Sequence, residues 1–133
     1  MNLNLKTAAP KVARILLGLI FFLSGLAGLL NLAPPPKDMP PAMLDFFNGM
    51  QATVYFFPFL KLTETICGLM LIVRIAPALA LVILAPIMIN IVLVHGFMTP
   101  GAKELILPVV MSVMMGLAAS AYWNVYRPLF RRN

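Results

Sequence analysis

The sequence predicts an all-α, polytopic membrane protein: an antiparallel four-transmembrane-helix bundle with a short interfacial helix between helices 1 and 2. Three observations predict it. Hydrophobic residues make up 62% of the chain and charged residues only 11%, against roughly 25% charged in a soluble domain. Mean hydropathy is +0.96. Four apolar stretches fill most of the chain, each near the roughly 20 residues that a helix needs to cross a bilayer. So few polar residues cannot cover a water-facing surface, and the bilayer is the solvent from which the rest follows.

The first span is read over residues 12–32, VARILLGLIFFLSGLAGLLNL, with Lys6, Lys11 and Arg14 around its start. A cleaved signal peptide would carry an apolar region of about 7–15 residues ending in small residues. This stretch is longer and runs into Asn31 and a proline run, so it reads as a retained anchor. Residues 33–44, APPPKDMPPAML, lack the donors for a regular helix and read as an extended segment outside the hydrocarbon. Residues 45–57, DFFNGMQATVYFF, are too short to span and mix aromatic with polar groups, as the headgroup level does. They read as a short interfacial helix, with a re-entrant segment as the open alternative.

The second span, residues 58–74, begins with Pro58 at its first turn and ends at Arg74; it is the least hydrophobic of the four. The third, residues 76–96, begins at Pro77, and Pro86 inside it predicts a kink. FMTPGAKE is a turn punctuated by Pro and Gly. The fourth span, residues 104–123, has Pro108 near its start, and Tyr122, Trp123 and Tyr126 form an aromatic belt at its end.

All four spans belong to one transmembrane domain over residues 1–133. The few residues around Arg74-Ile75-Ala76 force spans 2 and 3 into an antiparallel hairpin. Lys6, Lys11, Arg14, Arg74, Arg127, Arg131 and Arg132 then fall on one side, and Lys37, Lys61 and Lys103 on the other with Asp38, Asp45 and Glu104. The positive-inside rule places both termini in the cytoplasm, as a multi-pass protein of the inner (plasma) membrane. The net charge of +6 therefore reads as topology signal and lipid contact rather than as a nucleic-acid surface. The small-residue pairs Ser24/Gly28 and Gly116/Ser120, each four apart, predict close helix packing within the bundle, with homodimerisation as a second use.

Glu64 is the outlier in this pattern. It lies about 15 Å from the Arg74 end at ~1.5 Å per residue, where a charge costs about 2.5–3.5 kcal/mol on insertion scales. Lys61 is one turn away on the same face. Two readings stay open. One is a structural ion pair with Lys61 reaching toward the headgroups. The other is a site in which Glu64 accepts a proton or binds a polar ligand group. By the same rise Asn90 lies about 20 Å, His95 about 27 Å and Asn31 about 25 Å from that end. Asn31, Lys61, Glu64, Asn90 and His95 thus share the outer half. Facing one another, they form a polar pocket, with Glu64 as the catalytic candidate and Lys61, Asn90, His95 and Asn31 as ligand-binding candidates.

His95 is the only histidine and Cys67 the only cysteine. No metal site from this chain alone is expected, Cys67 reads as a packing residue, and a CxxC redox pair is excluded. There is no Gly-rich phosphate loop and no Ser-His-Asp set.

Three stretches resemble the DoxX family of small four-helix bacterial inner-membrane proteins. ARILLGLIFFLSGLAGL, residues 13–29, is similar to its opening helix, with an arginine at the start and SG within. LTETICGLMLIVRIAPALAL, residues 62–81, is similar to its central hairpin, a glutamate, then a glycine, then a short basic turn. A histidine late in the third span, here His95, is also family-like. The resemblance implies a four-helix bundle in the inner membrane and a link to thiosulfate:quinone oxidoreduction and membrane-associated redox complexes. More distant relatives of the bundle act as membrane chaperones or cargo receptors. The vitamin K epoxide reductase bundle is similar in outline, but its CxxC is absent here.

Two functional readings follow. The first is an accessory or assembly subunit of a membrane complex, acting with a protein partner or as a homodimer; it is favoured because no catalytic set is complete. The alternative is a redox-linked protein that binds a quinone or small sulfur compound in the outer-half pocket. The facing of Glu64 separates them: toward Lys61 alone it is structural, toward a cavity shared with Asn90 and His95 it is a site.

Overall fold

A computed structural model describes residues 4–132. The described residues form helices and no strand: α1 (Leu5–Leu29), α2 (Pro41–Ala52), α3 (Phe56–Val73), α4 (Pro77–Met98), α5 (Ile106–Ser120) and the single turn α6 (Trp123–Tyr126). Short 3-10 turns precede α5 at Ala102–Leu105 and follow α6 at Arg127–Phe130. Four segments are long and apolar enough to cross a membrane, namely α1, α3, α4 and α5 with its 3-10 entry.

The long helices close a ring. α1 packs on α3 and α5, and α4 packs on the same two from the other side. Because each connection returns the chain, neighbours in the ring are antiparallel. The start of α1, the α3–α4 turn and the segment after α5 share one end, which carries the seven cations named above. The short α2 caps the opposite end, against α3 and α4.

Helix limits differ from the hydropathy pattern for physical reasons. α1 starts at Leu5, well before the apolar stretch, because a helix does not end where the hydrocarbon does: the amides of Thr7 and Ala8 both bond the Asn4 carbonyl and continue the helix through the Lys6–Lys11 turn. α2 begins at Pro41 inside the proline-rich segment, since proline fits a first helical position, and it stops at Ala52 before a turn in which Val54 has φ 68°. α3 begins at Phe56, which leaves Pro58 in the first turn, where amides have no helical partner in any case. α4 runs unbroken through Pro86.

α1 ends in a Schellman motif. Asn31, at φ 52°, is the left-handed residue; its amide bonds the Gly28 carbonyl and the Leu32 amide bonds that of Ala27. Arg74 (φ 61°) ends α3 the same way, with the Ile75 amide bonding Met70. Ala76 (φ 43°) then redirects the chain, and Pro77 opens α4.

Glycines set the closest approach, between α1 and α3. A Cβ on Gly68 would stand 2.4 Å from the Phe22 backbone nitrogen, and one on Gly18 would stand 2.9 Å from the Gly68 carbonyl oxygen. A Cβ on Gly25 would meet Thr65 at 2.5 Å. In lipid, where apolar side chains gain nothing by leaving the solvent, such contact is what holds helices together. The pair expected in the last span does not do this. Gly116 has open space where its Cβ would go because α5 turns it away from the bundle, and Ser120 is exposed at the helix end. Of the pair in the first span, Gly28 does receive a neighbour, the side chain of Lys61.

The core runs along the ring axis: Leu17 and Phe21 of α1, Cys67 and Leu71 of α3, Ala80, Leu84 and Met88 of α4, and Met111 and Ala118 of α5. Large apolar side chains on the outer faces, such as Leu19, Leu69, Val82, Ile89, Val113 and Leu117, are exposed in the isolated chain, as a lipid-facing surface requires.

Candidate functional site

The end of the bundle under α2 holds a cavity of about 470 Å³, within the range of small-molecule sites. α1, α2, α3 and α4 contribute to it, and α5 does not. α1 supplies Ser24, Ala27 and Gly28, and the following segment Ala33 to Pro36. α2 supplies Met43, Phe46, Phe47 and Met50, which is the i, i+3, i+4, i+7 stripe of one helix face. Leu44, Asp45, Asn48 and Gln51 are left exposed on the other face. α3 supplies Phe57, Leu60, Lys61 and Glu64, and α4 supplies Asn90, Ile91, Val94 and His95.

Four of the five candidate residues therefore line one cavity, and Asn31 does not. Asn31 reaches the same depth along the membrane normal, but its left-handed backbone at the end of α1 turns it outward and leaves it exposed. Depth was computable from helical rise, whereas direction depended on the cap.

Glu64 is only 4% exposed. Its Oε2 accepts a hydrogen bond from Lys61 Nζ at 2.8 Å, the one ion pair among the described residues. Oε1 has no protein partner among them, and no sealed side-chain oxygen or nitrogen lacks one. Oε1 is therefore not sealed, and Glu64 lines this cavity. Lys61 is positioned by three contacts. Its stem lies across Gly28, where a Cβ would stand 2.6 Å from its Cδ. Its ammonium lies 5.8 Å from the centre of the Phe57 ring, a cation–π distance. Its carbonyl accepts the Thr65 hydroxyl at 2.7 Å. Phe57 in turn meets Phe47 of α2 edge to face, centroids 5.1 Å apart. A continuous series of contacts thus joins the α2 cap to the Glu64 carboxylate.

His95 Nδ1 lies 2.8 Å from the Ile91 carbonyl oxygen. A carbonyl only accepts, so Nδ1 carries the proton and Nε2 is left as an acceptor in the neutral ring. The Thr99 hydroxyl donates to the His95 carbonyl and holds the end of α4. Asn90 lies at the exposed rim. Together the groups make an apolar, methionine- and phenylalanine-lined chamber. One wall holds a carboxylate oxygen, an ammonium, an imidazole and an amide. Such a chamber suits a flat or elongated apolar molecule with hydrogen-bonding oxygens at one end.

The DoxX family model matches residues 9–96, more than half of the chain. The chain belongs to the DoxX family. The matched segment runs from α1 into α4 and includes every residue lining the DoxX-family protein's cavity, whereas α5 lies outside it. No curated protein and no solved structure matches the chain.

Sequence reasoning did not find two features of this DoxX-family protein. One is the inward stripe of α2, which the 43, 46, 47, 50 spacing signals once residues 41–52 are read as helix. The other is Arg14, expected at the headgroups but only 8% exposed, its guanidinium donating to the Leu71 carbonyl at the end of α3. Its position on the stripe Arg14, Leu17, Gly18, Phe21, Gly25, all buried, is the signal that would have placed it. There the cation satisfies a carbonyl that the helix leaves unpaired and faces the negative end of the α3 dipole.

Proposed function

We propose that this protein binds a quinone-type headgroup in the α2-capped cavity and exchanges a proton with it through Glu64. The observation that supports the reading is the shared cavity: a carboxylate pinned by Lys61 on one oxygen and open on the other, beside the imidazole and amide of α4. A carboxylate used only for a structural pair has no reason to face a chamber of this size. Lys61 donates to a ring oxygen of the quinone, His95 Nε2 accepts from a hydroxyl of the quinol, Asn90 closes the rim, and the Met and Phe side chains of α2 cover the ring face and exclude water. Reduction of a quinone to the quinol takes up two electrons and two protons. The chain's residues serve binding and proton exchange, and the electrons come from a reduced sulfur compound of the thiosulfate class, two of which couple through a new S–S bond and release two electrons. By charge asymmetry the protein sits in the inner membrane with both termini in the cytoplasm, so the cavity opens toward the outer leaflet.

A photoreactive azidoquinone tests the reading. Labelling of α2 or α4 residues around Met43, Phe47 or Val94, competed by unmodified quinone, is expected. Labelling restricted to the lipid-facing side of α5 would overturn it.

A second reading, an accessory subunit, is supported by one observation: Gly116 leaves bare backbone on an outward face of α5, where a partner's helix or a second copy approaches closely. Recovery of this protein alone under mild detergent would argue against it.

A further inference from the structure

The opposite end of the bundle holds a second cavity, also of about 470 Å³. Its cations come from separate parts of the chain: Lys6, Lys11 and Arg14 from α1, and Arg74 from the α3–α4 turn. The end of α5 closes it with Ser120 and Tyr122. No carboxylate lines it. Among the described residues none of these four cations has a carboxylate partner, the only ion pair being Lys61–Glu64 at the far end.

Topology signals alone do not require this arrangement. They place cations near span ends, free to fan out into the headgroups. Here one of the four, Arg14, is nearly sealed and held by its bond to the Leu71 carbonyl. A guanidinium has five donors, and no sealed side-chain nitrogen among the described residues lacks a partner. The donors that Arg14 does not use on Leu71 are therefore not sealed, and Arg14 lines this cavity. A fixed guanidinium in a concavity, with flexible lysines at the mouth, is the donor set that holds a phosphate group.

We propose that this cavity is a binding site for a phosphate-bearing anion, either the headgroup of an anionic phospholipid or free phosphate. Bound there, the anion bridges α1 to the α3–α4 turn, where like charges from separate parts of the chain converge. The site is separate from the α2-capped cavity and does not depend on what binds there.

The test uses the full chain. In nanodiscs, native mass spectrometry compares retention of phosphatidylglycerol and cardiolipin with that of phosphatidylcholine. In an uncharged detergent, inorganic phosphate is titrated against the melting temperature at constant ionic strength. Each is repeated with Lys11→Gln/Arg74→Gln and with Lys37→Gln/Lys103→Gln, which removes two exposed cations at the other end. Selective retention of anionic lipid that falls roughly thirtyfold in the first variant (about fivefold per charge) and not in the second supports the site with lipid as its source. A phosphate-dependent rise in melting temperature with the same variant pattern supports it with free phosphate as the source. If Lys11→Gln/Arg74→Gln does not fold, Lys6→Gln/Lys11→Gln, both on the exposed side of α1, takes its place. No selectivity for either anion, or equal loss in the two variants, overturns the proposal.

Discussion

Replacing Glu64 by Gln separates a structural pair from a site. Gln keeps the shape and an acceptor oxygen for the Lys61 ammonium, now 2.8 Å from Oε2. Lys61 stays charged, so its bond to the Gln oxygen is still charge-assisted, and the fold loses only the ion-pair attraction, roughly 1 kcal/mol. Lys61 is 20% exposed and its stem can carry the ammonium outward, which keeps the loss below the 3–5 kcal/mol expected when a buried pair is broken outright. The ligand loses more. A quinol hydroxyl or protonated ring oxygen that met the free Oε1 of a carboxylate now meets an amide, a difference of about 1.4 kcal/mol or tenfold in affinity. Equilibrium dialysis of a short-chain quinol against the protein in nanodiscs reads the affinity, and thermal unfolding followed by helical circular dichroism reads the fold. Lys61→Met is the counterpart: it leaves the carboxylate of Glu64, 4% exposed, without its cation and should destabilise by about 3–5 kcal/mol. Unchanged quinol affinity in folded Glu64→Gln would refute the reasoning and return the pair to a structural role.

Three further outcomes are expected. Gly68→Ala brings a methyl within 2.4 Å of the Phe22 backbone and should cost about 1–3 kcal/mol or more in thermal stability, whereas Gly116→Ala, with nothing within 4 Å of its new methyl, should be neutral or stabilising by up to about 1 kcal/mol. Arg14→Gln removes the charged bond to the Leu71 carbonyl and should lower stability by about 1–3 kcal/mol, read by chemical unfolding. Tyr126 donates to the Ala78 carbonyl at 2.8 Å; burial, and secondarily the neighbouring Tyr122, raise its phenol above the ordinary 10.0. A group with a raised folded pKa contributes stability in full below the unfolded value and loses it as pH rises through the folded one. The C-terminal segment should therefore loosen only above about pH 10, by phenolate absorbance and protease nicking, and Tyr126→Phe should abolish that step.

The four spans were legible because hydropathy and length alone set them in lipid, and the tight α3–α4 hairpin followed from the few residues between Val73 and Pro77. The i, i+3 relation of Lys61 and Glu64 was legible because both lie on one regular helix. Facing was not. Which side of α3 turns inward is fixed by the contacts of Gly18, Gly25 and Gly68 between α1 and α3, and a glycine in a sequence does not name its neighbour. Asn31 had the right depth and the wrong direction, since a left-handed cap residue no longer follows the helix that precedes it. α2 was read as interfacial from its aromatic and polar mixture, but its role as cavity cover depended on a helix start at Pro41 that the surrounding prolines concealed. Arg14 is the converse case: a basic residue near a span end reads as a headgroup contact, although its helix-face neighbours Leu17, Gly18 and Phe21 are all buried.

The central claim is that the α2-capped cavity holds a quinone through Glu64. Native mass spectrometry of the protein released from its own membrane by gentle detergent tests it most directly. The account predicts a bound quinone mass in the wild type that is lost in Glu64→Gln while the fold persists. A co-purifying protein with no small ligand in either form would contradict it and favour the accessory reading.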